Sequence, residues 1–148
     1  VFAPDVDTVE GRSAQSQTAA RRAEGDLLSH MVLFQRYVEK ASLAAEAGNW
    51  PLAAFYAGKI EGNATLVVDG GYVIDGRDVS AIAAEVALPR AAALSAAARA
   101  ASPASFDTAL DRMIGGCNAC HARSGYREIL VQRPAGRGPH PSQAFEPL

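Results

Sequence analysis

Two cysteines, two methionines and three histidines are all that this chain of 148 residues has of the side chains that hold soft metals or do redox chemistry. Cys117 and Cys120 are the only thiols, so none is spare for a second use. A closed zinc site wants four protein ligands. One cysteine pair with His30 and His140 far away in sequence supplies it poorly. The formal net charge is -2, which gives no general argument for nucleic-acid binding. No apolar run approaches the length of a membrane span. No secretory signal is visible at Val1. No acid–base pair stands out, which gives no support for an enzyme.

What is present is concentrated in one pentad, Cys117-Asn118-Ala119-Cys120-His121. Two cysteines three apart with a histidine after the second form the attachment signature for c-type haem. On a helix, residues three apart share a face, so both thiols can form thioethers to one porphyrin. The adjacent His121 then serves as proximal iron ligand. A redox dithiol is the rival use of such a pair, but that motif follows a strand in a βαβ unit. Here both flanks read as helix. The expectation is one haem c, covalent through Cys117 and Cys120. Such attachment takes place outside the bacterial cytoplasm, so a periplasmic chain with its export signal removed is expected.

Length and pattern predict a single all-α domain over 1–148, an antiparallel four-helix bundle. Residues 1–20 are polar and read as an extended arm. Leu27, Met31, Phe34, Val38, Ala41 and Ala45 step by threes and fours, an apolar helical stripe that Gly48 ends. Asn49 caps a second helix with Pro51 in its first turn. Asp69-Gly70-Gly71 and Asp75-Gly76 then read as a loop, with a hairpin around Tyr72, Val73 and Ile74 as the rival. Asp78 or Ser80 opens a third, alanine-rich helix that Pro89 should kink. Ser105 is the expected cap of the fourth helix, which carries Gly115-Gly116 into the pentad and ends near Gly125. Residues 126–148 hold Pro134, Pro139, Pro141 and Pro147 and read as an extended tail.

Four helices with the pentad on the last one, together with a methionine on the first, make the chain resemble the class II c-type cytochromes, the cytochrome c′ and c-556 group. The stretches Gly48-Asn49-Trp50-Pro51-Leu52-Ala53, Cys117 through Gly125, and Pro141 through Pro147 resemble single-haem bacterial proteins of the same bundle type. Of these, the pentad alone is individually specific. Gly125 departs from the group, which commonly carries a basic residue one turn after the histidine; Arg123 and Arg127 are the nearest substitutes. A small cytochrome c with its ligand methionine downstream is excluded, because none of the 27 residues after His121 is methionine.

The resemblance implies an axial methionine on the first helix, which would be Met31, giving a six-coordinate iron suited to electron transfer. Core packing is the plainer use of Met31. If no side chain binds, a vacant apolar face of Leu27, Leu28, Met31 and Phe34 would suit NO or CO, as in cytochrome c′. Met113 shares the helix of His121. His30 is turned about 100° from Met31, and His140 is expected to be solvent-exposed in the tail.

Residues 112–148 carry Arg112, Arg123, Arg127, Arg133 and Arg137 against Glu128 and Glu146. These arginines either neutralise haem propionates or form a basic face for an acidic redox partner protein. A third possible role is that of a haem subunit docking on an oxidoreductase. The group often pairs through its early helices, so a homodimer is open to this chain as well.

Overall fold

A computed structural model describes residues 6–136, 140 and 142–148. Four helices dominate them: α1 (Val6–Glu46), α2 (Trp50–Asp69), α3 (Val79–Arg99) and α4 (Pro103–Arg123). Two short strands, β1 (Val73–Ile74) and β2 (Arg77–Asp78), join α2 to α3.

Helix boundaries follow local chemistry. Gly48, at φ 71°, ends α1 in the left-handed conformation a C′ residue favours. The Asn49 side chain accepts from the Leu52 N–H at 3.2 Å and opens α2. Asp78 does the same for α3, accepting from the Ala81 N–H at 2.9 Å. For α4 the cap is Ser102, not Ser105: its hydroxyl accepts from the Ser105 N–H, and Pro103 follows in the first turn, where a missing N–H costs nothing.

Two expectations about whole segments are corrected as well. Residues 6–20 are not an extended arm but the start of α1; residues 1–5 of that arm lie outside the described residues. No proline interrupts the chain between Pro4 and Pro51, and Ala14, Gln15, Gln17, Ala19, Ala20, Arg21 and Arg22 are all adequate or strong helix formers. The side chains of 13–22 are exposed, so this part of the helix is carried by propensity and by continuity with the packed part. The second correction is at 73–78, where the hairpin forms. Val73 pairs with Asp78 and Ile74 with Arg77. Asp75 (φ 49°) and Gly76 (φ 76°) are both left-handed, the requirement of a type I′ turn that Asp-Gly meets readily.

Each helix packs on the next, whereas α1 and α4 approach each other only sparsely among the described residues. One core cluster, around Val38, Ile60, Leu94, Phe106, Leu110 and Met113, unites all four helices. A second gathers Leu27, Val67, Ile74, Val79, Ala83 and Ala87. By length and composition α3 is apolar enough to cross a membrane, which amends the expectation that nothing here approaches a span. It buries Ala91, Leu94, Ser95 and Ala98 among its neighbours, as a core helix does.

No helix forms among the described residues of 126–148. The segment is nevertheless tied down along the seam between α4 and α1. Arg133 pairs with Asp107 and Asp111 of α4, at 2.7 Å to the latter. His140 then reaches Glu39 of α1 at 3.3 Å, and Gln143 donates to the Tyr56 hydroxyl of α2 at 2.6 Å. Phe145 packs on the first core cluster, and the Asn49 amide donates to the Glu146 carbonyl at 3.2 Å.

Candidate functional site

The pentad lies in the last two turns of α4. Cys117 and Cys120 are both free thiols and half-buried. Their helical offset turns Cys117 toward the first core cluster and Cys120 toward the second. The Cys120 sulfur lies 4.0 Å from the Ile82 carbonyl of α3. Burial, followed by the neighbouring Cys120, pushes the Cys117 thiol up to about 11. Burial also raises Cys120, opposed by the charges of Arg123 and Arg90. Thiols raised in this way stay protonated near neutral pH, which disfavours thiolate-driven disulfide exchange.

His121 turns outward, to the loop that follows the helix. Its Nδ1 lies 2.9 Å from the Ile129 carbonyl. A carbonyl only accepts, so Nδ1 carries a proton, and in the neutral ring the lone pair is then on Nε2. The loop is drawn back by the Tyr126 N–H, which donates to the His121 carbonyl at 2.8 Å. Tyr126 itself packs on the second cluster, as Cys120 does.

Met31 is half-buried and packs on that same cluster, so α1 and α4 each present a sulfur to it. Leu27 belongs to the cluster at 7% exposure, and Phe34 touches both clusters. Leu28 does not line this face: at 65% exposure it points to solvent, about 100° around the helix from Leu27. His30 is held by α2, with Nδ1 2.6 Å from Asn63 Oδ1. His140 is not exposed in a loose tail: its side chain is 11% exposed beside Glu39, because the strap described above carries it onto α1.

Arg123 pairs with Glu85 of α3 at 2.9 Å, and its hydrogen bond and charge hold the Glu85 carboxyl below its usual range. Arg133 is likewise taken, by α4. Two other arginines stand by the pentad, and neither drew attention in the sequence. A methyl group at Gly116 would lie 2.6 Å from Cδ of Arg90, and one at Gly125 would lie 2.7 Å from Nη1 of Arg77. The signal for them was the glycines: Gly116 leaves room for Arg90 of α3, and Gly125 for Arg77 of β2.

The chain matches no protein-family model, no curated protein and no solved structure. Among the described residues no group of three or more His, Cys, Asp or Glu side chains converges as metal ligands, so a closed four-ligand zinc site has no donor set. Two free thiols one helical turn apart, beside an imidazole with Nε2 available, are instead the donors that a porphyrin held by two thioethers requires.

Asn118 is a third residue at the site whose part the sequence did not show. Its amide Nδ2 donates to the Val131 carbonyl at 2.9 Å, and its Oδ1 accepts from the Val131 N–H at 2.7 Å.

Proposed function

We propose that this chain is an exported, single-haem c-type electron-transfer protein built as an antiparallel four-helix bundle. Cys117 and Cys120 hold the haem, His121 is one axial ligand and Met31 the other. The observation that carries the reading is the orientation of His121. Its Nδ1–H is committed to the Ile129 carbonyl, which leaves Nε2 for iron, and a backbone carbonyl is a usual outer partner of a ligating histidine. The haem, when bound, supplies a one-electron couple at iron.

Met31 is favoured as the second ligand by place: it packs on the cluster that Cys120 joins, whereas the His30 ring is turned to Asn63 of α2 and Tyr72, and His140 Nε2 is taken by Glu39. Cationic side chains at the pentad, Arg90 and Arg77 above all, are suited to neutralising propionates. Arg112 and Arg127 are exposed and carry no carboxylate partner among the described residues, which suits an acidic redox partner protein. Leu28, Val32, Phe55 and Leu66 are exposed on α1 and α2, the surfaces a homodimer would use. The role proposed is electron transfer and not catalysis, and covalent haem attachment of this kind, which takes place outside the bacterial cytoplasm, would go with a periplasmic location.

A second reading keeps Met31 as packing only. Its support is the apolar company of Leu27 and Phe34, which would leave a hydrophobic distal face for NO or CO on five-coordinate iron. Absorption spectra of the purified protein, oxidised and reduced, with and without CO, separate the two. Narrow low-spin bands indifferent to CO are expected. High-spin bands that shift on CO would put gas binding first, and the absence of covalent haem would defeat both.

A further inference from the structure

Asn118 occupies an interior position of the pentad, where thioether attachment makes no demand on the side chain. Its amide is nonetheless used at both ends, giving and receiving a hydrogen bond with the backbone of one residue, Val131. This is the pairing one peptide group offers another, and it pins the chain at residue 131 in place and direction. Two residues earlier is Ile129, whose carbonyl receives the His121 proton at 2.9 Å. Asn118 and His121 are three apart on α4 and share a face, so one helix surface carries both grips on the same segment.

Packing does not hold that carbonyl. The Ile129 and Leu130 side chains are 48% and 75% exposed, so they anchor little. The hydrogen bonds that do are the Ile129 N–H to the Tyr126 carbonyl at 3.0 Å, on the near side, and the Asn118 pair on the far side. Without Asn118 the far side keeps only the half-buried Val131 side chain on the first core cluster, and no hydrogen bond fixes the direction of the chain there.

We infer that Asn118 is a positioning residue for His121: by clamping Val131 it holds the Ile129 carbonyl against Nδ1, and so sets the tautomer, orientation and basicity of the imidazole. The inference rests on the reading of His121 as an axial ligand. A firm hydrogen bond at Nδ1 makes the ring a stronger donor through Nε2, which favours oxidised iron and lowers the reduction potential.

The test uses the haem-loaded full chain and its Asn118→Ala and Asn118→Leu variants, with two readouts, the reduction potential and amide exchange at Val131. Both substitutions remove the acceptor for the Val131 N–H and the donor to its carbonyl, the leucine at nearly the original volume, so both open the clamp, and either suffices if the other fails to mature. Expected are faster exchange at Val131 and a raised potential, a shift of roughly tenfold in the oxidised-to-reduced ratio, or about 59 mV for one electron. Faster exchange at Val131 with an unmoved potential would overturn the inference, since Asn118 would then only fasten the tail. Lack of covalent haem in the unaltered chain would overturn the reading beneath it, a failure visible before any variant is made.

Discussion

Asn63 of α2 holds His30 of α1 from two directions: its Oδ1 accepts from the ring Nδ1 at 2.6 Å, and its Nδ2 donates to the His30 carbonyl at 2.9 Å. The edge of the His30 ring meets Tyr72, with centroids 5.9 Å apart. His30 is thus part of the α1–α2 interface, and its neighbour Met31 packs on the cluster that Cys120 also joins. Two adjacent residues of one helix, separated by its 100° step, belong to different faces.

The pair predicts a stability effect. Asn63 is 4% exposed, so Asn63→Ala removes two hydrogen bonds and leaves a part-buried imidazole without its partner. A loss of about 2–3 kcal/mol is expected. Urea denaturation should show it as a lower midpoint with an unchanged slope. Asn63→Leu fills the space but restores no polar partner, so it should recover little.

Met31 separates ligation from packing. Met31→Leu keeps an apolar side chain of similar volume and should cost under about 1.5 kcal/mol. It removes the sulfur all the same. With the thioether on iron, Met31→Leu and Met31→Ala should both lose the low-spin bands and gain CO sensitivity. An unchanged spin state in Met31→Leu would reduce Met31 to a packing residue.

The pentad and the four helices were legible in the sequence because each rests on local spacing: threes and fours along α1, Asn49 and Asp78 as caps, Gly48 as a stop. The hairpin was legible too, but one short apolar run outweighed the stronger Asp75-Gly76 signal. Partnership across the fold was not legible. That Asn118 would grip Val131, that Arg90 would pass over Gly116, and that His140 would meet Glu39 depend on how distant segments lie together. The tail misled for the same reason. Its prolines exclude helix, but they do not keep it from being strapped down by side chains of other elements.

That strap can be released at one point. Arg133 reaches both Asp107 and Asp111, one turn apart on α4, and the three side chains are 42–63% exposed. Solvent screens such a pair, so Arg133→Gln should cost no more than about 1 kcal/mol in global stability. Local order is a different matter. Amide exchange across 132–136, and the rate of proteolytic cutting there, should rise several-fold, since opening of a segment depends on its own ties. Protection at Val131 should persist through Asn118.

Cys117 makes the chain with free thiols sensitive to alkali. Its thiol is pushed up to about 11 from 9.0, chiefly by burial. The folded chain therefore holds this proton more tightly than the unfolded chain does. The stabilisation is complete below pH 9.0, declines as the unfolded thiol ionises first, and is gone above about 11. The amount is roughly 1–3 kcal/mol at the scale of 1.36 kcal/mol per unit. Other groups also titrate in this range, so the useful quantity is a difference. Urea midpoints of the variant Cys117→Ala, which lacks this thiol, and of the unaltered chain should converge or cross between pH 8 and 11, the unaltered chain losing more. Alkylation tells the same story in rate. Near pH 8 the raised value leaves roughly 100-fold less thiolate than an unshifted cysteine, so Cys117 should react slowly and speed up with each added unit of pH. Thioether attachment removes the proton altogether, and the haem-loaded chain should show neither effect.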